Sequence, residues 1–163
     1  MFREMRRINQ KLSQEETVRI LEEGTSGVLA LSGDDGYPYA VPMSYVYCGG
    51  KLYFHCANVG HKMDAIARCE KASFCVVSQD LIVPEKFTTF FRSAIAFGRI
   101  RVLSGDEAIS ALMTLAEKYS PGDEAGRRAE AARPNPTLAM LEMTIEHLTG
   151  KEAKELSYAR RKG

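Results

Sequence analysis

The sequence predicts an α+β, mainly β chain: an antiparallel sheet closed into a small barrel, with helices flanking it on the outside. Three observations carry this expectation. Apolar runs of strand length recur along the chain, Gly-rich turns link them, and no sustained β-α-β rhythm is present to build a parallel sheet. An antiparallel sheet of this kind must close or protect its edges, and a small barrel does so. The 163 residues are read as a single domain, residues 1–163, with a core from about 12 to 151 and a tail over 152–163.

Residues 1–11 interleave Arg3, Arg6 and Arg7 with Phe2, Met5 and Ile8, and read as a solvated or partly docked terminus rather than a nucleic-acid arm. Ser13-Gln14-Glu15-Glu16 is a capping box opening a helix to about Glu23, with Gly24 at its C-cap. Gly27 to Ser32 is a short strand of buried type, and Gly33-Asp34-Asp35-Gly36 a turn. The segment from Tyr37 to Lys62 organises the rest. Tyr37 to Tyr47 is aromatic and β-branched, Gly49-Gly50 suits a two-residue hairpin turn, and Lys51 to Ala57 returns. That turn sets a register with Tyr45 opposite Phe54, Met43 opposite Cys56 and Tyr47 opposite Leu52 on one apolar face. Ser44 opposite His55 and Pro42 opposite Ala57 form the other, small and polar face.

Asn58-Val59-Gly60 ends the return strand, and His61 to Arg68 has helical spacing with Met63, Ile66 and Ala67 inward. A helix start carries free amide N–H groups and a positive dipole end, so acidic residues are the usual occupants. Here His61 and Lys62 stand there. Two readings follow: both side chains point into solvent, or an anion such as phosphate sits at the helix start.

Ala72 to Ser78 is a further apolar strand, and Gln79 to Lys86 is expected to loop over the barrel end. Phe87 to Leu103 is too long for one flat strand, and Gly98 offers a bend. Beyond it Ile100 and Val102 face one way, Arg99 and Arg101 the other. Ser104 and Glu107 form a second capping box, and the helix to about Tyr119 is expected to bury Ile109, Leu112, Met113 and Ala116. Residues 121–136 read as a surface excursion with a short helix around Glu124 to Ala132. Leu138 to Leu148 is the last strand, with Leu141, Met143 and Ile145 alternating against Glu142, Thr144 and Glu146. Thr149-Gly150 turns it out into a helical or frayed tail.

A net charge of +1 leaves no electrostatic footprint for nucleic acid or an anionic membrane. No apolar run is long enough to span a bilayer and no signal-peptide core is present, so a cytoplasmic protein is expected. Cys48, Cys56, Cys69 and Cys75 show no Cys-x-x-Cys spacing, and three of them, inside predicted strands or a helix, read as buried, reduced thiols. Dinucleotide, Walker-type, zinc-protease and nucleophile-elbow motifs are all lacking. His55, His61 and His147 are too few and scattered for a metal site. A Ser44–His55 pair lacks the carboxylate that a hydrolytic triad needs.

The residues that remain carry a resemblance. Asp35 to Val46, Leu52 to Ala57, Gly60-His61-Lys62, Phe74 to Val77, Phe87 to Ser93 and Met143 to Lys151 together resemble the nitroimidazole-resistance family. That family belongs to the pyridoxamine 5′-phosphate oxidase-like, FMN-binding split barrels. The resemblance implies an antiparallel FMN-binding split β-barrel and a homodimer with FMN sites at the subunit interface. It matches Val41, Pro42, Met43 and Ser44 to the strand along the flavin ring, and His55, Cys56 and Ala57 to its neighbour. It matches His61 and Lys62 to the phosphate-binding pair, and Arg92 and Ser93 to the strand from the second subunit. Pro42 is expected to break strand pairing there and free backbone N–H groups for the ring. The implied function is an FMN-dependent oxidoreductase passing electrons from a reduced nicotinamide to a small acceptor such as a nitroimidazole or another nitro compound. The alternative is a non-catalytic flavin- or haem-binding protein of the same fold, for storage, sensing or haem handling. With no Trp in the chain, the substrate-phosphate motif of true pyridoxamine phosphate oxidases has no counterpart. No catalytic residue is singled out; His55, His61, Tyr45 and Ser44 are the available proton donors.

Overall fold

The computed structural model describes residues 2–133 and 135–162. The chain runs α1 (Gln14–Glu23), β1 (Ser26–Ser32), β2 (Pro38–Ser44), β3 (Val46–Cys48), β4 (Lys51–Ala57) and α2 (His61–Arg68). It continues β5 (Lys71–Val83), β6 (Thr88–Leu103), α3 (Gly105–Tyr119), α4 (Glu124–Ala132), β7 (Leu138–Glu152) and α5 (Lys154–Lys162). Met1, Pro134 and Gly163, which fall in the expected terminus, excursion and tail, lie outside the described residues.

All strand pairs are antiparallel, in the order β2-β1-β5-β6-β7-β4-β3. β2 and β3 are therefore the two edges of the sheet, yet only Tyr45 separates them in the chain. The sheet must roll up for its edges to meet there. β2 and β4 come into contact without sharing a ladder, and that unbonded seam is the split in the barrel.

This corrects the expected hairpin. The Gly49-Gly50 turn, with φ of +57° and +81°, sets the predicted register for Val46↔Tyr53, Tyr47↔Leu52 and Cys48↔Lys51. It stops there. β2 instead pairs with β1, Ser44 opposite Ser26 and Pro42 opposite Val28, so Met43–Cys56, Ser44–His55 and Pro42–Ala57 are not ladder partners. The break falls at Tyr45, not Pro42. Tyr45 is fully buried, and its hydroxyl donates to the Leu21 carbonyl at 2.8 Å. Pro42, without an N–H, sits where a strand tolerates it, on an edge. The apolar face was legible all the same, because a period of two fixes the face whichever strand is the partner.

The barrel interior is filled by Leu21, Leu29, Tyr45, Leu52, Phe54, Phe74, Ile100, Leu141 and Met143, all 0–1% exposed. Phe74 takes Tyr45 and Phe54 edge-on, at centroid distances of 4.8 and 5.1 Å. α1 has its capping box on Ser13 and Glu16, and Gly24 is its C-cap. α3 packs outside on Leu103, Met140 and Tyr53 through Ala108, Ala111 and Leu112, and Leu115 is also buried. Ile109 of the predicted face is exposed, and Leu112, Met113 and Ala116 are only half-buried. Ser104 is the N-cap without its box, because the Glu107 carboxylate is taken by Arg101 at 2.9 and 3.0 Å.

The expected loop at Gln79 to Lys86 is strand up to Val83. Gln79–Val83 pairs with Thr88–Arg92 after a register shift between Val77 and Gln79, making a hairpin arm closed by a short 3₁₀ turn at Pro84–Lys86. The arm exposes Leu81, Ile82 and Phe87, which is why its polar-flanked sequence did not read as a strand. β6 is one strand, with the ladder to β7 shifting between Phe97 and Gly98; a Cβ on Gly98 would stand 2.0 Å from the Thr144 carbonyl. Val102, expected on the same face as Ile100, is exposed where Ile100 is buried. β7 runs past Thr149-Gly150 to the buried Glu152, and the tail beyond it is helical.

Candidate functional site

α2 begins where β4 leaves the sheet, and it packs against β1, so its first turn lies over the seam between β2 and β4. Gly60, with φ +107°, is its N-cap, and no side chain caps the helix. The inward residues are Ala65 and Ile66, with Met63 half-buried; Ala67, expected inside, is exposed.

Four predicted residues come together here. The Lys62 ammonium donates to the Met43 thioether across the seam at 3.2 Å, and the Cys56 thiol lies 3.8 Å from the sulfur of Met63. Burial pushes the Cys56 thiol up from its ordinary range, against the smaller pull of Lys62. His61 stacks on Tyr39, centroids 4.1 Å apart, and its Nε2 is 3.4 Å from an Asp34 oxygen. Arg68 reaches the other Asp34 oxygen at 2.7 Å. The first turn holds one carboxylate, Asp64, and Asp34 adds a second from the turn before β2. Lys62 has no carboxylate within 4.0 Å among the described residues. A thioether is only a weak acceptor for a cation.

Val41 is half-buried on the edge strand, and Pro42, Ser44, His55 and Ala57 are exposed along the two sides of the seam. Arg92 and Ser93 are not part of this group in the single chain. Both lie on β6, where Arg92 meets Glu152 at 3.3 Å and Ser93 stands opposite Val77 and Lys151. Tyr45 is removed from the proton donors. Its hydroxyl is committed to Leu21, and burial drives its pKa well above the ordinary tyrosine value. The cysteines are free but not fully buried: Cys48 is exposed and the other three are half-buried.

Asp34, Tyr39 and Arg68 escaped the sequence reading. Tyr39 alternates in phase with Val41 on β2, a usable signal; Asp34 and Arg68 meet only through the fold. An uncapped helix start with a cation facing a thioether, beside an edge strand of small residues, fits an anion attached to a flat ring. Among the described residues no helix is long and apolar enough to cross a membrane.

A family model described as pyridoxamine 5′-phosphate oxidase matches residues 13–152. No curated protein matches the sequence. Among solved structures, the chain is similar to the FAD and haem binding protein from Mycobacterium smegmatis, with TM-score 0.73 and 21% identity over 93% of this chain and 80% of that one. It is similar to the flavocytochrome Anf3 from Azotobacter vinelandii, with TM-score 0.73 and 20% identity over 96% and 78%. It is also similar to a candidate 5-nitroimidazole antibiotic resistance protein from Bacteroides thetaiotaomicron, with TM-score 0.71 and 18% identity over 87% and 86%. At these identities the likeness is one of fold, the split barrel.

Proposed function

The chain belongs to the pyridoxamine 5′-phosphate oxidase family, and from that premise we propose that it is an FMN-dependent oxidoreductase acting on a small acceptor. The observation that carries the reading is the uncapped start of α2, where Lys62 faces only a thioether. The FMN phosphate would take the free amides together with Lys62 and His61. The ring would lie along Val41 to Ser44 and His55 to Ala57, the two sides of the seam. Bound FMN supplies hydride and single-electron chemistry; the chain's own residues bind it, orient it and shield one face. The Cys56 thiol, held protonated by burial, presents no competing thiolate. The acceptor is a nitroimidazole or another nitro compound, and the donor a reduced nicotinamide. Flavin binding in two of the similar structures supports the cofactor class.

A homodimer is part of the proposal. Arg92 and Ser93 lie away from the seam of their own chain, so they serve the flavin of a second copy. The exposed Leu81, Ile82 and Phe87 of the β5–β6 arm offer the apolar surface such an interface buries. One observation favours the second reading, a flavin- or haem-binding protein without turnover: Tyr45, one of the four proton donors expected from the sequence, is locked in the core.

The visible spectrum of the purified protein is the first test, and the absorption bands of a bound flavin support the reading. Protein that is colourless and leaves the fluorescence of added FMN unquenched overturns it. Oxidation of NADH or NADPH that depends on a nitroaromatic then separates the enzyme from the binding protein. Light scattering that returns the 18.1 kDa monomer mass at micromolar concentration overturns the dimer.

A further inference from the structure

One hollow lies away from the seam. It lies between the N-terminal arm and α5, has a volume of about 430 Å³, and is lined by Arg6, Arg7, Gln10, Lys154, Ser157 and Tyr158 among others. Its size is that of a small-molecule site.

Two features of its wall are unexplained by folding alone. Gln10 is 6% exposed, and its side-chain oxygen is buried with no hydrogen-bond partner. A buried amide oxygen left unpaired is costly, and native structures keep few of them. Beside it, the Ser157 hydroxyl already donates to the Ala153 carbonyl at 3.2 Å, so what it still offers is acceptor lone pairs. Gln10 and Ser157 thus both ask for a donor. The second feature is charge. Arg6, Arg7 and Lys154 border the same space, and none has a carboxylate within 4.0 Å among the described residues. The Tyr158 ring, which also lines the hollow, is 55% exposed and has the Lys154 ammonium 5.6 Å from its centroid.

We propose that this hollow is a second binding site, distinct from the seam, for an organic phosphate that carries a ring with an amino group. The two guanidinium groups and the ammonium receive the phosphate, which accepts bidentate hydrogen bonds from arginine. The Tyr158 ring stacks on the ligand's ring, and the amino group donates to Gln10. A plain carboxylate would use only part of this charge, and a ring without a donor would leave Gln10 unpaired.

The test is calorimetric titration with adenosine 5′-monophosphate, on the protein as purified and again on the Lys62→Ala variant. Saturable binding in both, at least tenfold tighter than inorganic phosphate and than adenosine, is the expected result. Arg6→Ala with Arg7→Ala weakens the nucleotide at least tenfold, and Gln10→Leu weakens it and adenosine while leaving inorganic phosphate unchanged. Circular dichroism and the melting temperature establish that each variant is folded; should Gln10→Leu not fold, Tyr158→Ala takes its place, with the loss again confined to ligands that have a ring. Nucleotide binding no tighter than inorganic phosphate means a diffuse anion patch and overturns the proposal. So does binding that survives the double arginine substitution, or that Lys62→Ala abolishes, since the nucleotide would then have been in the flavin's place.

Discussion

The phenolic oxygen of Tyr119, at the end of α3, lies 3.0 Å from the amide nitrogen of Tyr45 and 3.1 Å from its carbonyl oxygen. It also contacts the Thr25 carbonyl. The hydroxyl accepts from the Tyr45 N–H and donates its one proton to a carbonyl, so a helix side chain stands in for the missing strand partner between β2 and β3. Tyr119→Phe leaves a buried N–H unpaired where the sheet's two edges meet. We expect a loss of about 1–3 kcal/mol, read as a lower urea midpoint with an unchanged m-value. An unchanged midpoint would show that the edge junction is held by the burial of Tyr45 alone.

Glu142 shows a pH dependence with a definite sign. Its carboxylate is 6% exposed and bonded to Lys51 and Arg101, each at 2.9 Å. Burial pushes its pKa upward, but the two hydrogen-bonded cations outweigh that and hold it below the usual carboxylate range. A carboxyl depressed in the folded state contributes stability above its unfolded value, near 4.3, and loses that contribution as pH falls through the lower folded value. Glu142→Gln should therefore cost about 2 kcal/mol at pH 7 and flatten the fall in melting temperature below about pH 4. Parallel melting curves for wild type and variant across pH 3–5 would refute the assignment.

Much of the fold was legible because local signals and tertiary outcome agree. The Ser13–Glu16 capping box, the Gly49-Gly50 turn, the helix at His61 and the short helix at Glu124–Ala132 all occur where the sequence places them. The failures share a cause, which is competition between partners distant in sequence. Glu107 is as close to Ser104 as Glu16 is to Ser13, but Arg101 takes its carboxylate. β2 could have continued the hairpin, but β1 offered a longer ladder. Of the candidate site, the residues contiguous with the strand–helix junction could be named from sequence. Asp34 and Arg68, which set the charge around His61, could not, because nothing local links the turn before β2 to the end of α2.

The link between α5 and the barrel is concentrated in one residue. Glu152 has no exposed side-chain surface and is bonded to Arg160 at 2.9 Å and to Arg92 at 3.3 Å. Arg160 also reaches Glu16 and the Lys11 carbonyl, tying α1, α5 and β7 together. Arg160→Ala strips a buried carboxylate of its better partner and should destabilise by about 3 kcal/mol. In a Glu152→Gln background the same substitution should cost much less, because no buried charge is left behind. Equal costs in both backgrounds would mean that Arg160 acts through packing.

At the proposed phosphate site the charges make opposite predictions for two neighbours. Lys62→Ala removes a charged donor, worth roughly 1.5–3 kcal/mol, and should weaken FMN by about tenfold to somewhat over a hundredfold. Riboflavin, which lacks the phosphate, should bind almost as before. Asp34→Asn acts the other way. The Asp34 carboxylate now occupies the side chains of both His61 and Arg68, at 3.4 and 2.7 Å, and its charge opposes a dianion at the start of α2. Removing that charge frees both side chains and should tighten FMN severalfold, again without moving riboflavin, by fluorescence titration. If Asp34→Asn weakens FMN instead, the carboxylate serves to hold His61 against Tyr39 in a binding posture. If both substitutions change riboflavin as much as FMN, these residues shape the ring pocket, and the phosphate lies elsewhere.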